Sequence, residues 1–228
     1  MSKKLTAIGF ALPALLMFTA LSPLFAELSI KNGESFRYTE TEKNGSAVHT
    51  SCTYTGDDAT FAYTYRSPSN VWAVLTDKSG RPLTISHTLA GNELNFVYKG
   101  TSVKMTGLWN GTRVDEQKDF PGMVTGENAL LLRAHDFDAQ KSFSFFLVQP
   151  DKYPKLAAFK MTFTWVGSES VTVPAGNFSC RKIRFTLAGA GSVLYNAWYY
   201  ITDDNRRIIV KSENMPVNGS CVLEKIEE

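Results

Sequence analysis

The stretch VTVPAGNFSCRKIRFTL, Val171 to Leu187, reads as a strand, a tight corner and a second strand. Pro174 has no N–H to give to a sheet ladder, and Gly176 can take a positive φ. The Pro-Ala-Gly-Asn segment therefore ends one strand and aims the next. Beyond the corner, Ile183, Phe185 and Leu187 fall on one face at a period of two, with Lys182 and Arg184 on the other.

Outward from this corner the chain repeats the pattern. Upstream, Phe159, Met161, Phe163 and Trp165 share one face of Ala157–Trp165 while Lys160, Thr162 and Thr164 take the other, and Ser142–Val148 is dense in phenylalanine. Downstream, Gly189-Ala190-Gly191 turns into Val193–Ile201. Asp203-Asp204-Asn205 turns into Arg206–Lys211, and Ser220–Ile226 ends the chain. The first half reads as strands at Ser35–Glu42, Ala47–Tyr54, Thr60–Tyr65, Val71–Leu75, Pro82–Leu89, Glu93–Lys99 and Ser102–Leu108, with hairpin signals at Asn44-Gly45 and Gly91-Asn92. In Thr60–Tyr65, Phe61, Tyr63 and Tyr65 share a face. Short strands joined by local turns predict an all-β, mainly antiparallel meander curled into a β-barrel or half-barrel. Trp109–Gly126 loses the pattern and reads as a long central loop. Glu127–His135 (ENALLLRAH) is the one short helix, with Leu130 and Leu131 packing inward and Arg133 facing solvent.

The N-terminus has the form of a secretory signal. Lys3 and Lys4 precede an apolar run from Leu5 to Leu21, and Ser22-Pro23 breaks it before Ala26. Cleavage after Ala26 leaves one β domain, residues 27–228, exported to the periplasm; an uncleaved membrane anchor is the alternative. Without Lys3 and Lys4 the chain has 22 basic and 22 acidic residues. That balance gives no electrostatic case for binding nucleic acid or an anionic surface. Export permits oxidation of the three cysteines, Cys52, Cys180 and Cys221. A Cys180–Cys221 disulfide would tie two C-terminal strands together; buried free thiols are the alternative.

No catalytic constellation emerges. The three histidines are His49, His87 and His135, and no G-x-S-x-G elbow exists. His49 and Cys52 are three apart on a strand and so point to opposite faces. His135-Asp136-Phe137-Asp138 reads as a solvated helix exit rather than a metal site, and Asp203-Asp204-Asn205 as a hairpin turn. Gly189-Ala190-Gly191 joins strands, so it is no phosphate cradle. Glu127 and Glu169 have ordinary structural readings. No catalytic residue, metal or cofactor is expected.

Three segments resemble a bacterial family of exported proteins known as domain of unknown function 3108 (DUF3108). They are ENALLLRAHDF at Glu127–Phe137, GSESVTVPAGNFSCRKIRF at Gly167–Phe185, and AWYYITDDNRRIIVK at Ala197–Lys211. Where that family often has a proline after the arginine, this chain reads Arg207-Ile208-Ile209. The resemblance implies an antiparallel barrel or half-barrel with no assigned reaction, of a kind compared with periplasmic lipoprotein carriers.

These readings converge on a non-catalytic periplasmic protein. Its candidate ligand site is an apolar cavity lined by Phe61, Tyr63, Phe159, Met161, Phe163 and Trp165, suited to a lipid or acyl chain. Packing of the same side chains into a filled core is the competing expectation. Arg133 is placed either at the cavity mouth, pairing with a head group, or in a surface salt bridge. The alternative function is a cell-envelope accessory protein that takes up a protein partner along an open sheet edge.

Overall fold

The computed structural model describes residues 30–150, 155–215 and 219–227. The signal segment and its cleavage point lie outside these residues. Eight strands, β1 (Ser35–Thr41), β2 (Ala47–Gly56), β3 (Thr60–Arg66), β4 (Asn70–Asp77), β5 (Pro82–Leu89), β6 (Asn92–Lys99), β7 (Ser102–Trp109) and β8 (Thr112–Asp119), make one antiparallel meander. After β9 (Val124–Thr125) and the helix α1 (Ala129–Ala134), a second meander follows. It comprises β10 (Ser142–Pro150), β11 (Leu156–Val173), β12 (Gly176–Leu187), β13 (Asn196–Thr202), β14 (Ile209–Glu213) and β15 (Ser220–Glu227). The two halves fuse where β1 pairs antiparallel with β15, giving a single 15-stranded sheet. Among the described residues only β9, beside β10, runs parallel to its neighbour.

The sheet curls until its far ends meet. β8 and β9 stand at the two ends of the strand order, so among the described residues no backbone ladder closes the ring. Side chains form the seam instead. The Leu156 N–H donates to Glu116 at 2.7 Å, Lys118 Nζ donates to the Leu156 carbonyl at 3.3 Å, and the rings of Phe120 and Phe146 lie 6.1 Å apart.

The corner at residues 173–176 forms as its sequence requires. β11 and β12 pair from Met161↔Leu187 to Val173↔Gly176, and Gly176 has φ 134°. A bulge between Trp165 and Gly167 bends β11, and the Trp165 indole donates to the Gly167 carbonyl at 2.7 Å. At Gly107, φ is 140° and a Cβ would fall 2.0 Å from the Glu93 carbonyl oxygen, so only glycine allows β6 and β7 to approach this closely.

Three sequence expectations need correction. Trp109–Gly126 is not a long loop. Asn110 (φ 49°) and Gly111 (φ 75°) make a tight hairpin turn into β8, followed by the short β9. The strand reads as polar because it is an edge on which Val114 is the one deeply buried residue. Secondly, Arg133 does not face solvent, because α1 does not lie on the surface. The helix plugs the curled sheet, with Leu130 and Ala134 in one hydrophobic cluster and Leu131 and Leu132 in the other. A helix apolar on all sides is buried on all sides, and each such leucine contributes about 1.5–3 kcal/mol. Thirdly, Cys52, Cys180 and Cys221 are all free thiols. β13 and β14 separate Cys180 on β12 from Cys221 on β15, which sets the two about 14 Å apart across the sheet, beyond the span of a disulfide. A smaller shift concerns Gly189–Val193, a short 3₁₀ turn that delays the next strand to Asn196.

Candidate functional site

The two hydrophobic clusters do not fill the interior. Between them lies a cavity of about 530 Å³. Its walls come from both meanders and from the segment leading into α1. β1–β4 contribute Tyr38, Tyr54, Tyr63, Tyr65 and Trp72; the second meander contributes Leu147, Phe159, Met161, Phe185 and Tyr199. Leu187 and Tyr195, which flank the 3₁₀ turn, add to the apolar lining, as do Ile209 and Met215. Phe159 is 49% exposed at the rim. Val193 and Leu194, in the segment between Leu187 and Tyr195, are 85% and 81% exposed.

Alternation explains why these residues meet. On β1, Phe36, Tyr38 and Glu40 share the inward face. On β3 the inward set is Phe61, Tyr63 and Tyr65, and on β11 it runs through Phe159, Met161 and Phe163. The expected site residues separate along these faces. Tyr63, Phe159 and Met161 line the cavity. Phe61 lies in the first cluster, against Gly56. Phe163 is fully buried among Phe143, Phe145, Phe185 and Tyr199, with ring centroids 4.7–5.8 Å away. Trp165 lies beyond these, with the Arg181 guanidinium 5.1 Å from its ring. Along this one strand the aromatic face is divided, with Phe163 in a packed core and Phe159 and Met161 on the cavity wall.

Arg133 is neither at the mouth nor on the surface. Its Nη2 donates to Glu34 Oε1 at 2.9 Å, and its Nε donates to the Arg206 carbonyl at 3.1 Å. The guanidinium lies 4.6 Å from the ring centroid of Tyr54, whose side chain lines the cavity. Arg133 therefore braces the wall without lining the cavity. The segments Glu127–Phe137, Gly167–Phe185 and Ala197–Lys211 interlock near α1. Arg207 Nη1 donates to the Arg133 and His135 carbonyls at 3.1 and 2.8 Å, holding the end of α1. Arg181 pairs with Asp138 at 2.9 Å and with Asp203 at 2.5 Å.

Two carboxyl groups, Glu40 and Glu127, are among the polar groups that line the cavity. Glu40 accepts a hydrogen bond from Tyr65 Oη at 2.9 Å. Glu127 accepts the N–H groups of Ala129 at 2.6 Å and Leu130 at 3.2 Å, starting the helix. Burial raises both carboxyls above the ordinary carboxylate range, against the opposing pull of these hydrogen bonds. Burial, with the charges of Glu127 and Glu40 adding to it, pushes the Cys52 thiol up to about 12. Asn70, Ser212 and Asn128 also reach the cavity. The signal for Glu40 was present in the alternation of Phe36, Tyr38 and Glu40. Glu127 and Trp72 are placed by tertiary closure, which no local pattern reports.

Among the described residues, no group of three His, Cys, Asp or Glu side chains converges as a metal site. Asp136 Oδ1 accepts the N–H groups of Asp138 and Ala139 in a local turn, and His135 Nε2 bonds to the Gln140 carbonyl at 2.6 Å. Asp204 Oδ1 likewise accepts the N–H groups of Arg206 and Arg207.

The chain has the fold of the β-barrel-like proteins. It is similar to a β-barrel-like protein of domain of unknown function 1849 from Brucella abortus, with a TM-score of 0.58 at 10% identity, over 86% of this chain and 97% of that one. Looser similarity joins it to a Bacteroides fragilis protein of YmcC-like fold, described as exported (TM-score 0.34, 13% identity, 91% and 100% of the two chains). A Parabacteroides distasonis protein described as a lipoprotein gives TM-score 0.36 at 12% identity, over 90% and 100%. No family model and no curated sequence matches.

Proposed function

We propose that this chain is an exported, periplasmic, non-catalytic β-barrel-like protein of DUF3108-like type that shelters an apolar ligand, such as a lipid or acyl chain, in its central cavity. One observation carries this reading: a cavity of about 530 Å³ between two packed clusters, walled mostly by aromatic and aliphatic side chains. That volume falls in the range of small-molecule sites, about 300–1,000 Å³. Native cores close such spaces, because an unfilled apolar void forfeits contacts on every wall. Phe159, which lines the cavity and is half exposed, gives it an apolar edge at the surface.

Uptake of a protein partner by strand addition has weaker support. The long edge without a backbone ladder partner among the described residues is β8, and it carries Arg113, Asp115, Glu116, Lys118 and Asp119 within eight residues. Charge along an edge strand opposes pairing with another chain.

Titration with the neutral apolar dye N-phenylnaphthylamine tests the ligand reading. Saturable, equimolar enhancement is expected, and Met161→Trp, which fills the cavity, is expected to abolish it while the melting temperature is retained. Dye uptake that is absent, or unchanged in a folded Met161→Trp variant, contradicts it.

A further inference from the structure

The cavity holds about 530 Å³, and its walls are not free to widen. Four tyrosines on it are each tied through the hydroxyl to a different element. Tyr38 Oη donates to the Ile209 carbonyl at 3.1 Å, Tyr65 Oη donates to Glu40 at 2.9 Å, Tyr63 Oη lies 3.3 Å from Cys52 Sγ, and Asn128 Nδ2 donates to Tyr199 Oη at 3.3 Å. Tyr38, Tyr63 and Tyr199 are also deeply buried. Turning one of these rings outward would strand a polar group that is now satisfied. Nor can the strands part without breaking ladders. β1 is paired along its length with β2 on one side and β15 on the other, and β11, β12 and β13 pair in succession. The space is therefore of a set size before any ligand enters.

We infer that the cavity takes one alkyl chain and excludes lipids of two or more, so that its ligand is a single-chain amphiphile rather than a diacyl lipid or the multiply acylated anchor of a lipoprotein. The inference rests on the cavity reading above and names the ligand class of that same site. At about 30 Å³ for each carbon, the volume that one water takes in the liquid, 530 Å³ is filled by about eighteen carbons. One acyl chain of ordinary length meets that limit, and two overfill it. A second chain left outside would stay in water and forgo the burial that the first one gains. A second chain forced inside would push the tied rings off their partners. The head group is not part of this limit. Phe159, half exposed on the lining, marks where the cavity reaches the surface, so a head can remain in water there.

The test offers the protein vesicles of palmitoyl-oleoyl-phosphatidylcholine that carry, in equal amounts, palmitoyl-lysophosphatidylcholine, monopalmitoylglycerol and dipalmitoylglycerol. Each head is thus present with one chain and with two. Protein separated from the vesicles is read by native mass spectrometry and organic extraction. One single-chain molecule per protein is expected, enriched over its two-chain counterpart by about tenfold or more relative to the vesicle. In a second series the vesicles carry lysophosphatidylcholines of graded chain length. Binding is expected to fall off beyond about eighteen carbons, and Met161→Ala, which opens the wall, is expected to move that limit to longer chains. The first series needs no variant, so it decides the matter even if Met161→Ala fails to fold. A two-chain lipid bound as well as its single-chain counterpart, or a limit that stays put in folded Met161→Ala, overturns the inference and leaves the cavity reading standing. Uptake of N-phenylnaphthylamine without uptake of any lipid does the same. A protein that takes up neither the dye nor any lipid overturns both.

Discussion

The Arg133 guanidinium lies 2.9 Å from the Glu34 carboxylate, with side chains 1% and 0% exposed, so the ion pair that braces α1 is wholly inside the protein. Removing one member of such a pair strands the other charge, at a cost of about 3–5 kcal/mol. Glu34→Gln is expected to lower the unfolding free energy by that order in urea denaturation. The double variant Glu34→Gln, Arg133→Met is expected to regain much of it, because neither buried charge remains and Arg206, the second partner of Glu34 at 3.3 Å, keeps access to solvent. A single-variant loss under about 1 kcal/mol would show that the pair does not hold the plug.

Two phenylalanines on the same face of β11 are expected to behave differently. Phe163 is fully buried between four aromatic rings, so Phe163→Ala is expected to cost about 3–5 kcal/mol. Phe159 is 49% exposed at the cavity rim, and Phe159→Ala is expected to cost under about 1 kcal/mol while weakening dye uptake. Equal stability losses from the two would contradict the division of this face into core and cavity.

The cysteines are expected to be unlinked and slow to react. Burial holds the Cys52 thiol at about 12 and the Cys180 thiol at about 11, far from the thiolate form at neutral pH. Denaturing, non-reducing alkylation is expected to label all three thiols, and labelling of the native protein at Cys52 and Cys180 to be slow. A Cys180–Cys221 peptide linked until reduced would overturn the separation of β12 from β15.

Acid is expected to weaken the fold through two histidines. Burial lowers His87 and His135 to about 4, whereas the unfolded chain titrates them near 6.5. Between these values the unfolded state binds more protons, so their contribution to stability is lost as pH falls from about 6.5 toward 4. Glu40 and Glu127 oppose this, since their raised carboxyls favour the native state as pH falls. Comparison of variants isolates the histidine part: with His135→Phe, the melting temperature is expected to drop less over this interval than in the unsubstituted protein. Equal drops would show that His135 does not stay neutral in the fold.

The local rules that made the fold legible are those of strands and turns. The Pro174–Gly176 corner and the alternation of Phe159, Met161 and Phe163 each act within a few residues, and each took the form its sequence requires. β8 was hidden because an edge strand needs little apolar pattern, although Asn110-Gly111 marks its turn. Arg133 was misplaced because a charged residue is buried only when a distant partner comes to it, and Glu34 lies 99 positions away. For the same reason Tyr63 was found and Glu127 was not. One faces inward by strand period, while the other depends on how the helix seats in the closed sheet.

The most direct measurement is native mass spectrometry on protein purified from the periplasm without detergent. Extra mass that disappears on denaturation, and is recovered in an organic extract as a lipid or other apolar molecule, is the predicted result. A bare apoprotein mass that stays unchanged after incubation with decanol would contradict the ligand-binding cavity.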